Sequence, residues 1–526
     1  MKGGGLFWLM IVALAPLGII SNLHSVYGWV DPAETIYHVR ELAVGRVPYR
    51  DIFSHHFLGY LFPLALIDRL HAITPDFFWA LVVANNLLCA LLTFLVVKEL
   101  ADESSAKLGA LAMITVGWLP GWYGDLFVNQ NYYWPVQLIY FWALLRAAQR
   151  RAVSWYALSG LSLGALVVLD QRLLLFAALP LLLWGPGMLK QVLALTGSAA
   201  VCPLLSLGYL YQNRALQDFW YQTIVFPSAV RNVAIASSLA ARFRELLIGA
   251  LSTEPLALLL AAVSGALAIL LERRRHVRLV LAGFLLCSLV CVLLGGRAFI
   301  NYLLFLGPGM LVLIGCLPFY SAKFGLTAKR AACAIVLTLC LLSAASPALR
   351  YLKFGKAFVI SQEATLLETA DYVNQSYGTS GNMFVWGYAP QLYLLTDRLS
   401  PFRDLSLLSV VGGSFRSDLE GDEDISLPLF DELKRMFQDT PPQLLVVYGV
   451  RGQEVLRDPA FLLTQRMPTA PYPQCDFDKI SRLSFLKSAI ENNYQLVKTI
   501  DNHYDYAKIY LATSAAPRTK SAIPSS

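Results

Sequence analysis

Charge is what this 526-residue chain has least of: Asp, Glu, Lys and Arg make up 15% of it, against 56% hydrophobic residues. Soluble domains carry about 25% charged residues, so a wholly soluble protein is excluded. Cysteine points to no redox chemistry either. Seven of the 8 cysteines (Cys89, Cys202, Cys287, Cys291, Cys316, Cys333, Cys340) lie in apolar stretches, and only Cys475 stands in polar sequence. That lone thiol has no internal disulfide partner, no CxxC pair occurs, and the seven read as small packing residues. A glycine-rich dinucleotide fingerprint is absent. No basic run carries interleaved aromatics on polar sequence, which excludes nucleic acid as a partner.

What the chain has in quantity is hydrophobic length, with a mean hydropathy of +0.54. Stretches long enough to span a bilayer fall at 6–20, 77–97, 106–121, 132–148, 154–169, 173–187, 191–211, 246–271, 278–294, 301–320 and 330–347, about eleven in all. Residues 6–20 read as a retained signal-anchor helix, because no small-x-small cleavage site follows. With the N-terminus inside, the inner loops receive Lys98, Lys107, Arg146, Lys190, Arg273–Arg275 and Lys329, as positive charge demands. Positive residues of the outer loops up to 347 are all arginine, whose planar fork suits bidentate phosphate binding. The stretch 56–67 is too short to span and reads as an interfacial or re-entrant helix.

After about residue 348 the composition becomes that of a soluble domain, with 18 Lys and Arg against 20 Asp and Glu from 350 onward. The membrane part is therefore the basic part, which favours anionic headgroups or phosphates as neighbours. Helical patterns at 361–377, 428–437 and 482–492 alternate with strand patterns at 382–386, 443–449, 494–500 and 506–511. The predicted organisation is a membrane domain over 1–347, with a first outer loop at 29–76, and an extracytoplasmic α/β domain over 348–526.

The densest ionisable sequence is the run from Trp29 to Tyr60, beside the first span. It holds four acids (Asp31, Glu34, Glu41, Asp51), three arginines (Arg40, Arg46, Arg50) and three histidines (His38, His55, His56). Charge next to hydrocarbon is expensive, so a mere connector would not carry it. Asp31-Pro32-x-Glu34 is a good helix start, with Asp31 placed to cap and Glu34 one turn on, favoured by the helix dipole.

The same residues, with Arg40-Glu41, Gly45, Pro48-Tyr49-Arg50-Asp51 and His55-His56, resemble the first outer loop of the GT-C superfamily. The narrower likeness is to family 39, which includes protein O-mannosyltransferases and lipid A aminoarabinose transferases. Pro32 departs from that pattern, as do Phe57 and Leu58 where prolines are usual. The resemblance implies a GT-C-like fold and transfer of a sugar from a polyprenyl-phosphate carrier at the outer face of the membrane. It aligns Asp31 with the catalytic aspartate, while Glu34 is either a second acid or an ordinary first-turn acid. His56 takes the place of a basic residue that meets the carrier phosphate, with His55, Arg40 and Arg50 on the same loop. Arg172 at a span end and Arg297-x-x-x-Asn301-Tyr302 add further donors, the latter resembling the family's Arg-x-x-x-His-Tyr. Arg50 also reads as half of an Arg50–Asp51 turn clamp.

A second outer loop places Asp125, Asn129 and Asn131 among aromatics, either as an acceptor or sugar wall or as part of an interfacial belt. Adjacent histidines point apart and no HxxxH spacing occurs, so no cofactor is expected, with a divalent ion at His55, His56, Asp31 and Glu34 the alternative. The reading is a glycosyltransferase that takes a polyprenyl-phosphate sugar and a glycan, lipid or protein acceptor, in a bacterial or archaeal cell membrane. A transporter or lipid-carrier flippase with an outer domain is the alternative. It would place paired charges at mid-membrane depth.

Overall fold

The computed structural model describes residues 2–16, 30–118, 129–183, 187–228, 244, 247–248, 255–294, 300–379, 381–387, 389–405, 423–450, 484–502 and 505–513. The first helices are α1 (Lys2–Leu14), α2 (Val30–Ala43), α3 (Leu61–Leu70), α4 (Pro75–Leu100) and α5 (Glu103–Thr115). Next come α6 (Tyr133–Arg150), α7 (Val153–Leu169), a 3₁₀ run (Gln171–Leu183), α8 (Leu189–Gln212) and α9 (Leu216–Trp220). Then follow α10 (Pro255–Leu271), α11 (Arg275–Leu294), α12 (Gly307–Ser321) and α13 (Leu326–Tyr377). The remaining elements are β1 (Met383–Trp386), α14 (Pro390–Leu395), α15 (Glu423–Asp439), β2 (Leu444–Val450), α16 (Ser484–Asn493), β3 (Tyr494–Asp501) and β4 (Asp505–Ala512).

Within the described residues, each apolar stretch read as a span overlaps a helix or the 3₁₀ run. Among the described residues four are long and apolar enough to cross a membrane: α4, α8, α11 and the Leu326–Ala345 part of α13. Helix α3, ten residues long, rises only about 15 Å and is too short to cross. The expected pair of helices at 330–347 and 361–377 is instead one helix of 52 residues. Its end is set by Gly378 at φ +59, a left-handed position that glycine fills without penalty.

By its contacts the chain divides into two compact units, the first made of 1–25, 55–223 and 235–359, the second of 26–54, 224–234 and 360–526. The first is helical. Its helices meet through glycines: Gly160 and Gly164 of α7 lie against the backbone carbonyls of Leu195 and Ala199 of α8. Gly109 of α5 likewise meets Gly315 of α12, backbone to backbone. Where lipid tails are as apolar as leucine, such close approach supplies the packing attraction that burial cannot. An apolar cleft of about 470 Å³ runs between α7, the 3₁₀ run and α8, lined by Leu163, Leu174, Pro180 and Leu195 among others. At helix ends Arg274 forks onto Glu272 (2.9 and 3.0 Å) and donates to the last carbonyls of α4, Glu99 and Leu100.

The second unit holds a four-stranded sheet in the order β1-β2-β4-β3. β1 runs parallel to β2, and β4 is antiparallel to both β2 and β3. Leu444 to Tyr448 of β2 are buried without alternation, as a central strand covered on both faces must be. The core packs Phe384, Trp386, Leu433, Phe437, Leu445 and Leu486 together with Phe53 and Phe226. The segment that follows α2 thus contributes a core side chain to the unit that carries the sheet.

Candidate functional site

Helix α2 places Asp31, Glu34, His38 and Glu41 at successive spacings of three, four and three residues. At 3.6 residues per turn this is one face. His38 is 3% exposed and Glu41 1%. The His38 Nδ1 lies 2.9 Å from Glu41 Oε2, and its Nε2 lies 3.5 Å from Glu34 Oε1. Gly45, at φ +97, turns the chain back after the helix, so that Arg46 places a guanidinium nitrogen 2.5 Å from the other Glu41 oxygen. The same guanidinium donates to the Ser400 carbonyl at 3.0 Å. Tyr37 flanks this face of α2: its hydroxyl accepts from the Ser400 amide at 2.5 Å, and its ring meets Tyr393 at 5.1 Å.

These placements set the protonation of the face. Burial pulls the His38 imidazolium down, but hydrogen bonds and charge from Glu34 and Glu41 prevail and lift it to about 9. Burial and the neighbouring Glu34 charge raise Asp31 to about 7. Asp31 as a residue is only partly covered, while protein atoms surround its carboxyl. The result is an acid that exchanges its proton near neutrality. Asp31 stands inside the first turn of α2, so its carboxyl meets the helix dipole as a first-turn acid and is not the cap.

Arg40 and Arg50 belong to the same unit and are both engaged. Arg40 lies 3.5 Å from Asp397 Oδ1 and donates to the Leu394 carbonyl. Arg50 forks onto Asp51 at 3.0 and 2.8 Å, and Asp51 also accepts from the Val47 amide at 2.8 Å. The Arg50 guanidinium holds the Asp51 carboxyl below its usual range, against a smaller opposing effect of burial. The Tyr49-Arg50-Asp51 sequence is therefore a clamped turn, with Tyr49 at φ +69. Arg403 grips it from outside through the Tyr49 and Arg50 carbonyls, at 3.0 and 3.1 Å.

The remaining described candidates lie in the first unit. Arg172 forks onto Asp170 at 2.9 and 2.6 Å, with the Tyr302 and Phe305 rings 4.8 and 4.5 Å from its guanidinium. The His55 and His56 rings are 3.9 Å apart. Burial, then the Arg172 charge, pushes His56 down to about 3, so it is neutral and offers a hydrogen bond rather than the positive charge its place in the motif implied. Tyr60 stacks on Tyr132 at 5.2 Å. Asn131 is 2% exposed, and its side-chain oxygen finds no partner among the described residues. Asp125 and Arg297 lie outside the described residues, as does the side chain of Asn129, whose backbone opens a 3₁₀ turn. Among the described residues no group of three or more His, Cys, Asp or Glu converges as a metal cage.

Sequence reading gave no role to His38, Glu41, Arg46 or Asp170. The signal for the first two was the three-four-three spacing along α2, and for Asp170 its place two residues before Arg172. Arg46 was hidden, because its reach depends on the turn at Gly45.

No family model and no curated protein sequence matches the chain. Among solved structures it is similar to ArnT from Cupriavidus metallidurans in the apo state, with 13% identity and a TM-score of 0.56 over 97% of this chain and 99% of that one. The same enzyme bound to undecaprenyl phosphate gives the same values. The archaeal oligosaccharyltransferase AglB from Archaeoglobus fulgidus, in complex with an inhibitory peptide and a dolichol-phosphate, matches at 13% identity and a TM-score of 0.47 over 98% of this chain and 74% of that one. Over nearly its whole length, then, the chain carries the fold seen in ArnT.

Proposed function

We propose that the protein transfers a sugar from a polyprenyl-phosphate carrier to an acceptor hydroxyl, with Asp31 as the base, at the outer face of a bacterial or archaeal cell membrane. The observation that carries this reading is Asp31 itself: a carboxyl surrounded by protein atoms on a partly covered residue, raised to about 7 by burial and by Glu34, on a chain with the ArnT fold. A general base works best when its pKa lies near the working pH.

In the reaction the acceptor oxygen attacks the anomeric carbon while its proton passes to the Asp31 carboxylate. The bond from that carbon to the phosphate oxygen breaks, the polyprenyl phosphate leaves with the electron pair, and the configuration inverts. Glu34, one turn along the helix, is suited to orient the acceptor hydroxyl. For the leaving phosphate we assign Arg172, with Tyr302, His55 and His56 as neighbouring donors. Arg297 joins them by its sequence motif. Arg40 and Arg50, paired with Asp397 and Asp51 as Arg172 is with Asp170, keep the same phosphate assignment by their place in the motif. Asp125, Asn129 and Asn131 remain assigned to the sugar or acceptor wall, the acceptor being a glycan, lipid or protein hydroxyl. No cofactor is assigned a step.

The test is transfer of labelled sugar from a panel of polyprenyl-phosphate donors by the purified wild type and Asp31→Asn. Loss of a positioned base lowers turnover by about 10²–10⁴-fold. Equal transfer by the two proteins removes Asp31 from the chemistry, and no consumption of any donor by either removes the activity.

A further inference from the structure

We propose that His38 is a positioning residue of this site: held by carboxylates at both ring nitrogens, it fixes Glu34 as an anion and leaves Asp31 as the group that takes the proton. The inference rests on the reading of Asp31 as the base and deepens it. A neutral imidazole whose one N–H serves Glu41 Oε2 at 2.9 Å turns a lone pair toward Glu34 Oε1, which lies 3.5 Å from Nε2, an ion-pair distance with no hydrogen bond made. Only the imidazolium presents a positive N–H and not a lone pair to each carboxylate, and at 3% exposure the ring has almost no water to turn to.

The charged groups facing it can be counted. From α2 come Glu34, Glu41 and, a turn below Glu34, Asp31. From the turn that follows comes Arg46, on the far oxygen of Glu41. The packed α14 and the residues after it contribute the Tyr393 hydroxyl, which feels Glu41 and Arg46, and Asp397, which is taken up by Arg40.

With Asp31 protonated, Glu34 and Glu41 are balanced by His38 and Arg46, and the face is neutral. With Asp31 ionised it carries one uncompensated negative charge. Taking a proton from the acceptor therefore returns the face to neutrality, and His38 is what sets that balance. Without its cation, Asp31 and Glu34 become two like-charged acids one turn apart that share a single proton, and neither is designated the base.

The experiment is the pH profile of sugar transfer by the full-length protein, comparing wild type, His38→Gln, Glu41→Gln and Asp31→Asn. His38→Gln removes one positive charge, and its acidic limb is expected to move up by about one unit or more, with the plateau falling about tenfold. Glu41→Gln removes one negative charge, and its limb is expected to move down. Because the two shifts have opposite sign, a general loss of fold cannot imitate them, and Glu41→Gln alone decides the matter if His38→Gln does not purify. Limbs that stay at the wild-type position in both variants, with only lower plateaus, reduce His38 to packing and overturn the inference. Undiminished transfer by Asp31→Asn instead overturns the underlying reading, so the two failures are distinct.

Discussion

Glu41, at 1% exposure, has a cationic partner on each oxygen, His38 on one and Arg46 on the other. A buried carboxylate survives only with such compensation, and the compensation makes the second unit sensitive to pH. His38 is raised from its ordinary 6.5 to about 9. The stability it contributes is complete below pH 6.5 and is lost as pH climbs through 9. Asp31, raised from 3.8 to about 7, also binds its proton more tightly folded than unfolded, so it too favours the folded state at lower pH, with that advantage gone above 7. Both trends have the same sign. Thermal unfolding of the purified protein is expected to start several degrees lower at pH 9 than at pH 6.5, roughly 5 °C for a unit of this size. His38→Gln flattens that part of the slope, and a wild-type midpoint that does not fall over this window contradicts the assignment of charge to His38. In the first unit the contrast is instructive: His56 is neutral and Arg172 is answered by Asp170.

At the scale of elements, helices in the first unit are set by what is missing at their contacts. Gly160 and Gly164 bring α7 onto the carbonyls of α8 so closely that any added carbon must displace backbone. Gly164→Val is expected to destabilise by about 1–3 kcal/mol, the range for overpacking, measured as a lowered unfolding midpoint in detergent. Gly197 and Gly208 of α8 have open space where a Cβ would stand. Gly197→Ala is the control and is expected to be neutral or stabilising by up to about 1 kcal/mol. Equal effects at Gly164 and Gly197 would show that the close contact does not hold these helices. Sequence periodicity located this class of element well, since runs of apolar residues need no partner to be recognised. It did not foresee the 3₁₀ geometry of Gln171–Leu183, nor the unbroken course of α13. Both depend on how neighbouring turns pack, and neither has a residue signature.

At the scale of the molecule, the second unit is assembled from chain far apart in sequence. Tyr37 and Arg46 bind Ser400, more than 350 residues away, while Arg403 holds the Tyr49-Arg50 turn and forks toward Glu432 at 3.0 Å. Arg403→Ala is expected to cost about 1.5–3 kcal/mol, the worth of hydrogen bonds from a charged group. Hydrogen exchange at the amides of Val47 to Phe53 reads it directly, because these residues are released if Arg403 holds them. Unchanged protection there would mean that the core contact of Phe53 suffices.

Composition and hydrophobic length by themselves determined that this is a membrane protein with helices at the apolar runs and strands at four later stretches. Those signals are local, written in the periodicity of the residues that make each element. The stretch 29–60 also stood out by the density of its charges. Only the tertiary structure decided which charges answer which, because pairing depends on distance in space and not along the chain. It set Arg40 against Asp397 and Arg50 against Asp51, left Asp31 with an acid as its charged neighbour, and buried one histidine between two carboxylates.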